Sequence, residues 1–341
     1  MAGEDVAKVC TSAADEETVA GCCRYRHDRT ALSSSLSNLT RAFLVCRPST
    51  EIADTIEMLL ADGVDDATLV NTVFRNAIAR AYPPHRDYRL SVLKAVISRL
   101  ENHTEIGDGF YDELSRTLAE VAADGFVTYT LADCHSADES SPIHVTLRET
   151  RCFASQGTTG LKSWPASKVL TEVLLESVQL EGRCIVELGS GVGLTGLCVL
   201  KARPLLKSFT FTDCHPAVLR SLEEHIQINL GGNDDRARVQ LLDWSVGGEI
   251  PGCDLIVGAD IVFDKDIIVP LVNLIVDLLN KGDSRKAIIA SVIRNTDTYT
   301  SFKTALEKTC QVDSIKLDRF KHFEEVTDDF EVLEIIKKIV S

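Results

Sequence analysis

The clearest chemical signal in this chain is a glycine-rich turn between an apolar strand and a helix. Residues 184–196 read CIVELGSGVGLTG, so three glycines alternate directly after the predicted strand. Glycine permits positive φ and a close approach of the backbone to a ligand, and a helix N-terminus presents free N–H groups. The turn therefore predicts a binding site for an acidic or polar ligand.

Two cofactors are compatible with this turn. Residues 191–196 match G-x-G-x-x-G, and Asp213 follows about 20 residues later, the spacing of the ribose-binding acid in dinucleotide sites. An NAD(P)-dependent oxidoreductase is therefore one interpretation. Glu187, however, places a carboxylate just before the turn, where it would repel a pyrophosphate and attract a cationic group.

Two further acids follow later predicted strands. Asp243 precedes Trp244 at the end of the third strand, and Asp260 follows Ala259 at the end of the fourth. The carboxyl ends of parallel strands form the ligand-binding edge of an open α/β sheet. A ring of acids at that edge suits a cationic nucleoside such as S-adenosylmethionine better than the dianionic pyrophosphate of NAD.

Strands and helices must alternate to bring these residues together. Apolar runs predict strands at residues 183–188, 208–213, 238–242, 254–259, 286–292, 312–318 and 330–336. Helical spacing predicts helices near 165–178, 194–202, 216–229, 266–280 and 298–309. This alternation predicts a mostly parallel α/β sheet with helices on both faces. The last two strands lack an intervening helix, so a terminal hairpin would make the final strand antiparallel.

The first part of the chain has a different character. Residues 1–30 lack periodicity and are interpreted as a mobile leader. Apolar residues at three- and four-residue spacing then predict an all-α N-terminal domain over residues 31–125, with helical segments near 36–46, 51–62, 67–82, 86–103 and 110–123. A strand-rich connection follows over 126–150, with a boundary loop at 138–141. The catalytic domain is predicted over 151–341.

Composition narrows the class of protein. The chain has 341 residues, 36 Lys and Arg against 51 Asp and Glu, and a net charge of −15, which argues against binding nucleic acid non-specifically. Eleven cysteines without a C-x-x-C pair predict reduced thiols and no metal site. No apolar run reaches the ~20 residues that a bilayer crossing needs. A cytoplasmic protein is expected.

Taken together, the motifs resemble the seven-stranded class I (Rossmann-like) methyltransferase fold. More narrowly, they are similar to its protein-lysine methyltransferases, which carry a Trp before the first helix, E-L-G-x-G-x-G, an acid after strand two, L-D-W, and D-x-x-Y after strand four. The similar segment covers about residues 152–264. Within it, the SQGTTGL of residues 155–161 and the TDCH of 212–215 resemble the branch that methylates translation elongation factor 2.

The resemblance implies a role for each matching residue. The S-adenosylmethionine site would comprise Trp164 near the methionine end, Glu187, Gly189, Ser190 and Gly191 in the loop, Asp213 at the ribose, Asp243 and Trp244 beside adenine, and Ala259. The acceptor lysine would meet Asp260 and Phe263. Phe263 stands where the family carries Tyr, so an aromatic wall remains without the hydroxyl that can hydrogen-bond the lysine.

Some of these residues also have a purely structural interpretation. Asp213 could cap the helix that begins at Pro216, Trp164 could be a hydrophobic staple at a helix start, and Asp260 could be a capping or solvated loop acid. His215, beside Cys214, is interpreted as a solvated or capping histidine because no spaced metal partners accompany it.

The predicted function is that of a cytoplasmic, monomeric protein-lysine N-methyltransferase acting on translation elongation factor 2. Neither nucleic acid nor a membrane is expected as a direct partner. The alternatives are an NAD(P)-dependent oxidoreductase and an adaptor that kept the fold but lost catalysis.

Overall fold

The computed structural model describes residues 32–101, 107–121, 124–131, 142–150, 152, 154–232, 234–282 and 285–338. Two compact units are present. The first comprises the described residues up to Ala81 and Asp87–Glu120, and the second comprises Tyr82–Arg86 and the described residues from Val121 onward. The leader predicted at 1–30 and the boundary loop predicted at 138–141 lie outside the described residues.

The first unit is helical. Its helices are α1 (residues 32–44), α2 (Ser49–Ala61), α3 (Asp66–Leu69), α4 (Ala77–Ala81), α5 (Arg86–Leu100) and α6 (Asp108–Ala119). Their apolar faces meet in one core, where Phe43, Ile56 and Phe110 are fully buried. The all-α region predicted from helical spacing is therefore confirmed.

One helical segment predicted in this unit is interrupted in the structure. The spacing over residues 67–82 predicts one helix, but α3 passes into a π-helical turn at Val70–Phe74 and the chain bends before α4. The Asn76 side chain explains the break. Its amide donates to the carbonyls of Thr72 and Val73, both at 3.0 Å, and its oxygen accepts the N–H of Ala79 at 2.9 Å. It thereby ends one helix and starts the next.

The second unit is built on a seven-stranded sheet. Its strands are β3 (Cys184–Leu188), β4 (Ser208–Asp213), β5 (Ala237–Leu241), β6 (Leu255–Ala259), β7 (Lys286–Val292), β8 (Cys310–Ile315) and β9 (Phe330–Lys337). The order is β5-β4-β3-β6-β7-β9-β8. The first five pair in parallel, whereas β9 is antiparallel to β7 and β8. The predicted mostly parallel sheet with an antiparallel final strand is confirmed.

Helices connect these strands and cover the sheet. They are α7 (Pro165–Ser177), α8 (Leu194–Ala202), α9 (Pro216–Leu230), α10 (Ile268–Asn280) and α11 (Thr296–Glu307). Neighbouring side chains of β3 show that helices cover both faces of the sheet. Leu188 belongs to a core cluster with Ile275 of α10 and Phe302 of α11, whereas Glu187, one residue earlier, meets Thr195 of α8. The strand that carries the glycine turn is thus fixed on both faces.

An antiparallel hairpin precedes the sheet in the chain. Strands β1 (Gly125–Leu131) and β2 (Ile143–Glu149) pair along their full lengths. The hairpin is joined to α9 by Asn229, whose side chain accepts the N–H of Thr146 at 2.8 Å and donates to its carbonyl at 2.7 Å. Across the described residues, no helix is both long and apolar enough to cross a membrane.

A buried carboxylate on α7 fixes the loop between β8 and β9. Glu172 has no exposed surface, and its oxygens accept the backbone N–H groups of Lys321 at 3.1 Å, His322 at 2.7 Å and Phe323 at 2.8 Å. Hydrogen bonds to a charged acceptor contribute about 1.5–3 kcal/mol each, and an unmade one is costly when the donor is buried. Glu172 therefore ties the β8–β9 loop to the helix that precedes the glycine turn.

We expect Glu172→Ala to lower the free energy of unfolding by roughly 2–4 kcal/mol, because three backbone donors would lose a buried acceptor. Urea unfolding measures the change. Glu223→Ala removes an exposed carboxylate from α9 and serves as the control, with little expected effect. Equal stabilities of the two variants would contradict this role of Glu172.

Candidate active site

A cavity of about 580 Å³ opens at the carboxyl edge of the parallel strands. This is the size range of ligand sites, roughly 300–1,000 Å³. The cavity contains nine of the predicted site residues, namely Trp164, Gly189, Gly191, Asp213, Asp243, Trp244, Ala259, Asp260 and Phe263. Glu187 and Ser190 are not among its lining residues. Aromatic and acidic side chains and the backbone of two glycines thus surround one space, as expected for residues at the ends of the strands.

The glycine turn forms the floor of the cavity. Gly189 and Gly191 have φ of 65° and 53°, in the left-handed region that favours glycine. A Cβ at Gly189 would lie 2.9 Å from Cγ2 of Ile261, and one at Gly191 would lie 3.2 Å from the carbonyl oxygen of Gly160. Neither turn residue leaves room for a side chain.

Ser190 holds the turn rather than facing the cavity. Its hydroxyl accepts the N–H of Thr212 at 3.1 Å, and its own N–H donates to the Thr212 carbonyl at 2.8 Å. Only 8% of Ser190 is exposed. The residue fixes the turn to the end of β4.

Glu187 lies beneath the turn and is buried. Burial raises the pKa of its carboxyl group to about 8, an effect that the nearby Asp213 charge reinforces and hydrogen bonds from Ser190 and Thr195 oppose. Its Oε2 has no hydrogen-bond partner among the described residues. At neutral pH Glu187 is therefore mostly protonated, which weakens its predicted repulsion of a pyrophosphate.

Asp213 lies at the end of β4 beside the turn. Its Oδ2 accepts the N–H of Gly191 at 3.3 Å and its Oδ1 accepts the N–H of His215 at 3.0 Å. Burial raises its pKa, and these backbone hydrogen bonds oppose the shift. The cap of α9 is His215, whose Nδ1 accepts the N–H of Ala217 at 3.3 Å, so the capping interpretation of His215 is confirmed. Asp213 lines the cavity, and its carboxylate has more acceptor sites than these two hydrogen bonds use.

Asp243 and Trp244 form the wall after β5. The Asp243 carboxylate accepts the N–H and hydroxyl of Ser245 at 2.8 and 2.6 Å, and these hydrogen bonds lower its pKa. Asp243 is exposed, whereas the indole of Trp244 packs partly buried against the core near Gly189. The wall therefore combines a flat apolar surface with an ionised acceptor.

Asp260 is held more tightly than a solvated loop acid. Its side chain is 4% exposed, and its φ of 54° places a non-glycine residue in the left-handed region. The carboxylate accepts the N–H of Val292 at 3.0 Å and that of Ala166 at 3.4 Å, and Arg294 donates to both oxygens at 3.3 and 3.1 Å. Such a carboxylate is an acceptor whose position is fixed by its donors.

Trp164 and Phe263 provide the aromatic surfaces near Asp260. The Trp164 indole N–H donates to the carbonyl of Thr159 at 3.1 Å, and the guanidinium of Arg294 lies 5.0 Å from the centre of its ring. Trp164 occupies the N-cap position of α7 and also lines the cavity. Phe263 is 62% exposed at the rim.

Sequence reasoning missed several lining residues. Thr158, Thr159 and Gly160 were recognised only as a family segment, although they line the cavity. Arg294 was missed altogether. It follows β7, so the rule that located acids after β4, β5 and β6 would have found it if applied to the next strand.

The order of this sheet, with the antiparallel β9 between β7 and β8, and the cavity at its carboxyl edge are those of the class I, Rossmann-like methyltransferase fold. A family model described as "Lysine methyltransferase" matches residues 151–309. Two relatives are protein-lysine N-methyltransferases. EEF2KMT of Homo sapiens is 30% identical over 295 residues, covering 80% of this chain and 86% of the relative. EFM3 of Chaetomium thermophilum is 30% identical over 275 residues, covering 72% and 80%.

The chain belongs to this lysine methyltransferase family, and it is an S-adenosylmethionine-dependent protein-lysine N-methyltransferase. The oxidoreductase alternative is therefore set aside, although G-x-G-x-x-G is present in the sequence. The cavity fits the cofactor: its acids can accept hydrogen bonds from hydroxyl and amino groups, its indoles offer flat surfaces, and its glycine floor leaves the backbone open.

The buried Glu187 generates a prediction about pH. Its pKa is raised to about 8, so the folded state retains a proton that the unfolded state loses near its ordinary value. This contribution to stability is complete at acid pH and is lost as pH rises toward 8. Glu187→Gln cannot ionise, so its stability relative to the wild type should rise by roughly 2–4 kcal/mol between pH 5 and 8.

Thermal unfolding across this pH range checks the expectation. Glu181→Gln, which alters an exposed carboxylate in the turn before β3, is the matched control. If both variants followed the wild-type pH dependence, the raised pKa of Glu187 would be refuted.

Proposed function

We propose that this enzyme methylates a lysine of translation elongation factor 2 in the cytoplasm, acting as a monomer. The observation that carries the proposal is that Asp213, Asp243 and Asp260 line the same cavity as two indoles and the exposed Phe263. Support for the substrate comes from the SQGTTGL and TDCH segments and from the similarity to EEF2KMT and EFM3.

The cofactor would occupy the half of the cavity around the glycine turn. Asp213 would accept hydrogen bonds from the ribose hydroxyls, and Asp243 would accept one from the adenine amino group beside Trp244. Gly189, Gly191 and Ala259 would supply backbone contacts. S-adenosylmethionine supplies a methyl group on a sulfonium, an already activated leaving group, so the residues of this chain mainly bind, orient and exclude water.

The acceptor lysine would enter at the other half, past Phe263. An ammonium has no lone pair, and at neutral pH only about one free lysine in a thousand is neutral, given a pKa near 10.4. An unpaired carboxylate about 4 Å away would favour the ammonium by roughly 4 kcal/mol at an effective dielectric constant near 20. Asp260 is instead bound by backbone donors and Arg294, so its role is to orient the amine.

Phe263 is suited to contact the acceptor lysine through van der Waals packing rather than through a hydrogen bond. Its ring is largely exposed at the rim, where it can pack against the methylene groups of a lysine. It cannot donate a hydrogen bond to the amine. Alignment of the amine therefore depends on the fixed groups behind it, Asp260 and Trp164.

We expect Asp213→Asn to weaken S-adenosylmethionine binding roughly tenfold to hundredfold, because a charged acceptor of the ribose hydroxyls is lost. Equilibrium binding measures the loss, and thermal stabilisation by the cofactor should fall in parallel. Asp235→Asn, an exposed change in the turn before β5, should leave binding intact. Unchanged affinity in Asp213→Asn would remove this residue from the proposed site.

The substrate is tested by transfer of labelled methyl groups to purified, unmethylated elongation factor 2. We expect label in the factor with the wild-type enzyme and little with Asp213→Asn. Label in other proteins of a cytosolic extract, but none in the factor, would refute the substrate and keep the enzyme class. Cofactor binding without transfer to any protein would favour the silent adaptor, and Phe263→Tyr should then fail to restore activity.

A further inference from the structure

Arg294 is a cavity residue that has so far entered only as a donor to Asp260. It is the one cationic side chain among the described residues that line the cavity. Its guanidinium forms a two-pronged ion pair with Asp260, and it lies 5.0 Å from the ring centre of Trp164. The Arg294 side chain is 46% exposed, whereas that of Asp260 is 4% exposed. The arginine is therefore the accessible member of a pair whose carboxylate is almost fully buried.

The geometry of this pair suits Arg and no other cation. A guanidinium presents parallel N–H donors that match both carboxylate oxygens and has a flat face that can lie against an indole. Arg294 uses both features, toward Asp260 and toward Trp164. It joins the end of β7 to the residues at the end of β6 and the start of α7.

The pair also sets the electrostatics of the acceptor end. Asp213, Cys214, Asp243 and Asp266 are the other ionisable residues that line the cavity, so its remaining charges are negative. A second cation, the ammonium of Lys162, lies 5.2 Å from the ring centre of Trp164, but Lys162 is not among the residues that line the cavity. Without Arg294, an entering lysine would meet an uncompensated Asp260 in an acidic site and would keep its proton.

We propose that Arg294 is a positioning residue for methyl transfer. It neutralises Asp260 so that the acceptor lysine reaches the cofactor as the free amine, and it holds Trp164 in place. This inference rests on the proposed lysine methyltransferase reaction. The lysine proton would leave to solvent first. The amine lone pair would then bond to the methyl carbon while the carbon–sulfur bond of the sulfonium breaks and its electron pair stays on sulfur, and no bond to Arg294 forms or breaks.

The test is the pH dependence of kcat at saturating acceptor protein and S-adenosylmethionine, because kcat reports ionisations within the enzyme–substrate complex. It is measured for the wild type, Arg294→Gln and Arg294→Lys. In Arg294→Gln, kcat at pH 7 should fall at least tenfold, and the acidic limb of its profile should move up by about one pH unit. Cofactor affinity should change less than about threefold. Arg294→Lys keeps the charge, so its limb should stay near the wild-type position despite a lower kcat.

Two further variants separate charge from folding. Arg238→Gln, an exposed change on β5, should leave the profile unchanged. In the double variant Arg294→Gln with Asp260→Asn, both charges are absent, so the limb should return toward the wild-type position even if kcat remains low. Thermal unfolding of each variant shows whether the fold is intact.

The outcomes are distinct. An active wild type and a pH-independent loss in Arg294→Gln would overturn the role of Arg294 alone, as would a limb that moves equally in the Lys and Gln variants. A wild type that transfers no methyl group to any lysine at any pH would overturn the proposed function, and this role with it.

Discussion

Backbone N–H groups at the carboxyl edge of the parallel sheet must find acceptors, because the strand ladder ends there. The acids of the cavity provide them: Asp213 accepts from Gly191, and Asp260 accepts from Val292. The same carboxylates thus fix the loops and present charge to a ligand. A structural role and a binding role were alternative interpretations of these acids. His215 rather than Asp213 caps α9, but Asp213 and Asp260 both accept backbone hydrogen bonds and also line the cavity.

The acidic residues of the site differ in charge state and pairing because they differ in burial and in their hydrogen-bond partners. Glu187 lies beneath the floor, where burial raises its pKa to about 8, so it contributes little negative charge at neutral pH. Asp243 is exposed at the wall, and hydrogen bonds from Ser245 keep its pKa low. Asp260 is paired with Arg294. The carboxylates of Asp213 and Asp243 therefore line the cavity without a cationic partner among its lining residues, whereas that of Asp260 is compensated by an arginine.

The spacing of apolar residues predicted most strands and helices correctly, but it failed where a polar side chain binds the backbone and ends a helix. The strand and helix boundaries of the second unit agree with the predictions to within a few residues, because alternation and spacing reflect burial against one sheet. The segment 67–82 kept its helical spacing but broke at Asn76, whose side chain competes for backbone groups. Whether an asparagine side chain binds the backbone depends on the conformation of the chain, so the spacing of apolar residues does not reveal it.

The sequence by itself determined the parallel sheet, the glycine turn and the acids that follow successive strands, since each is encoded within a few neighbouring residues. It also carried the family motifs between residues 152 and 264. Only the tertiary structure decided that Glu187 is buried below the cavity and that Arg294 neutralises Asp260, a residue 34 positions away. Burial and ion pairing join segments that are distant in the chain, so they depend on how the strands are ordered in space.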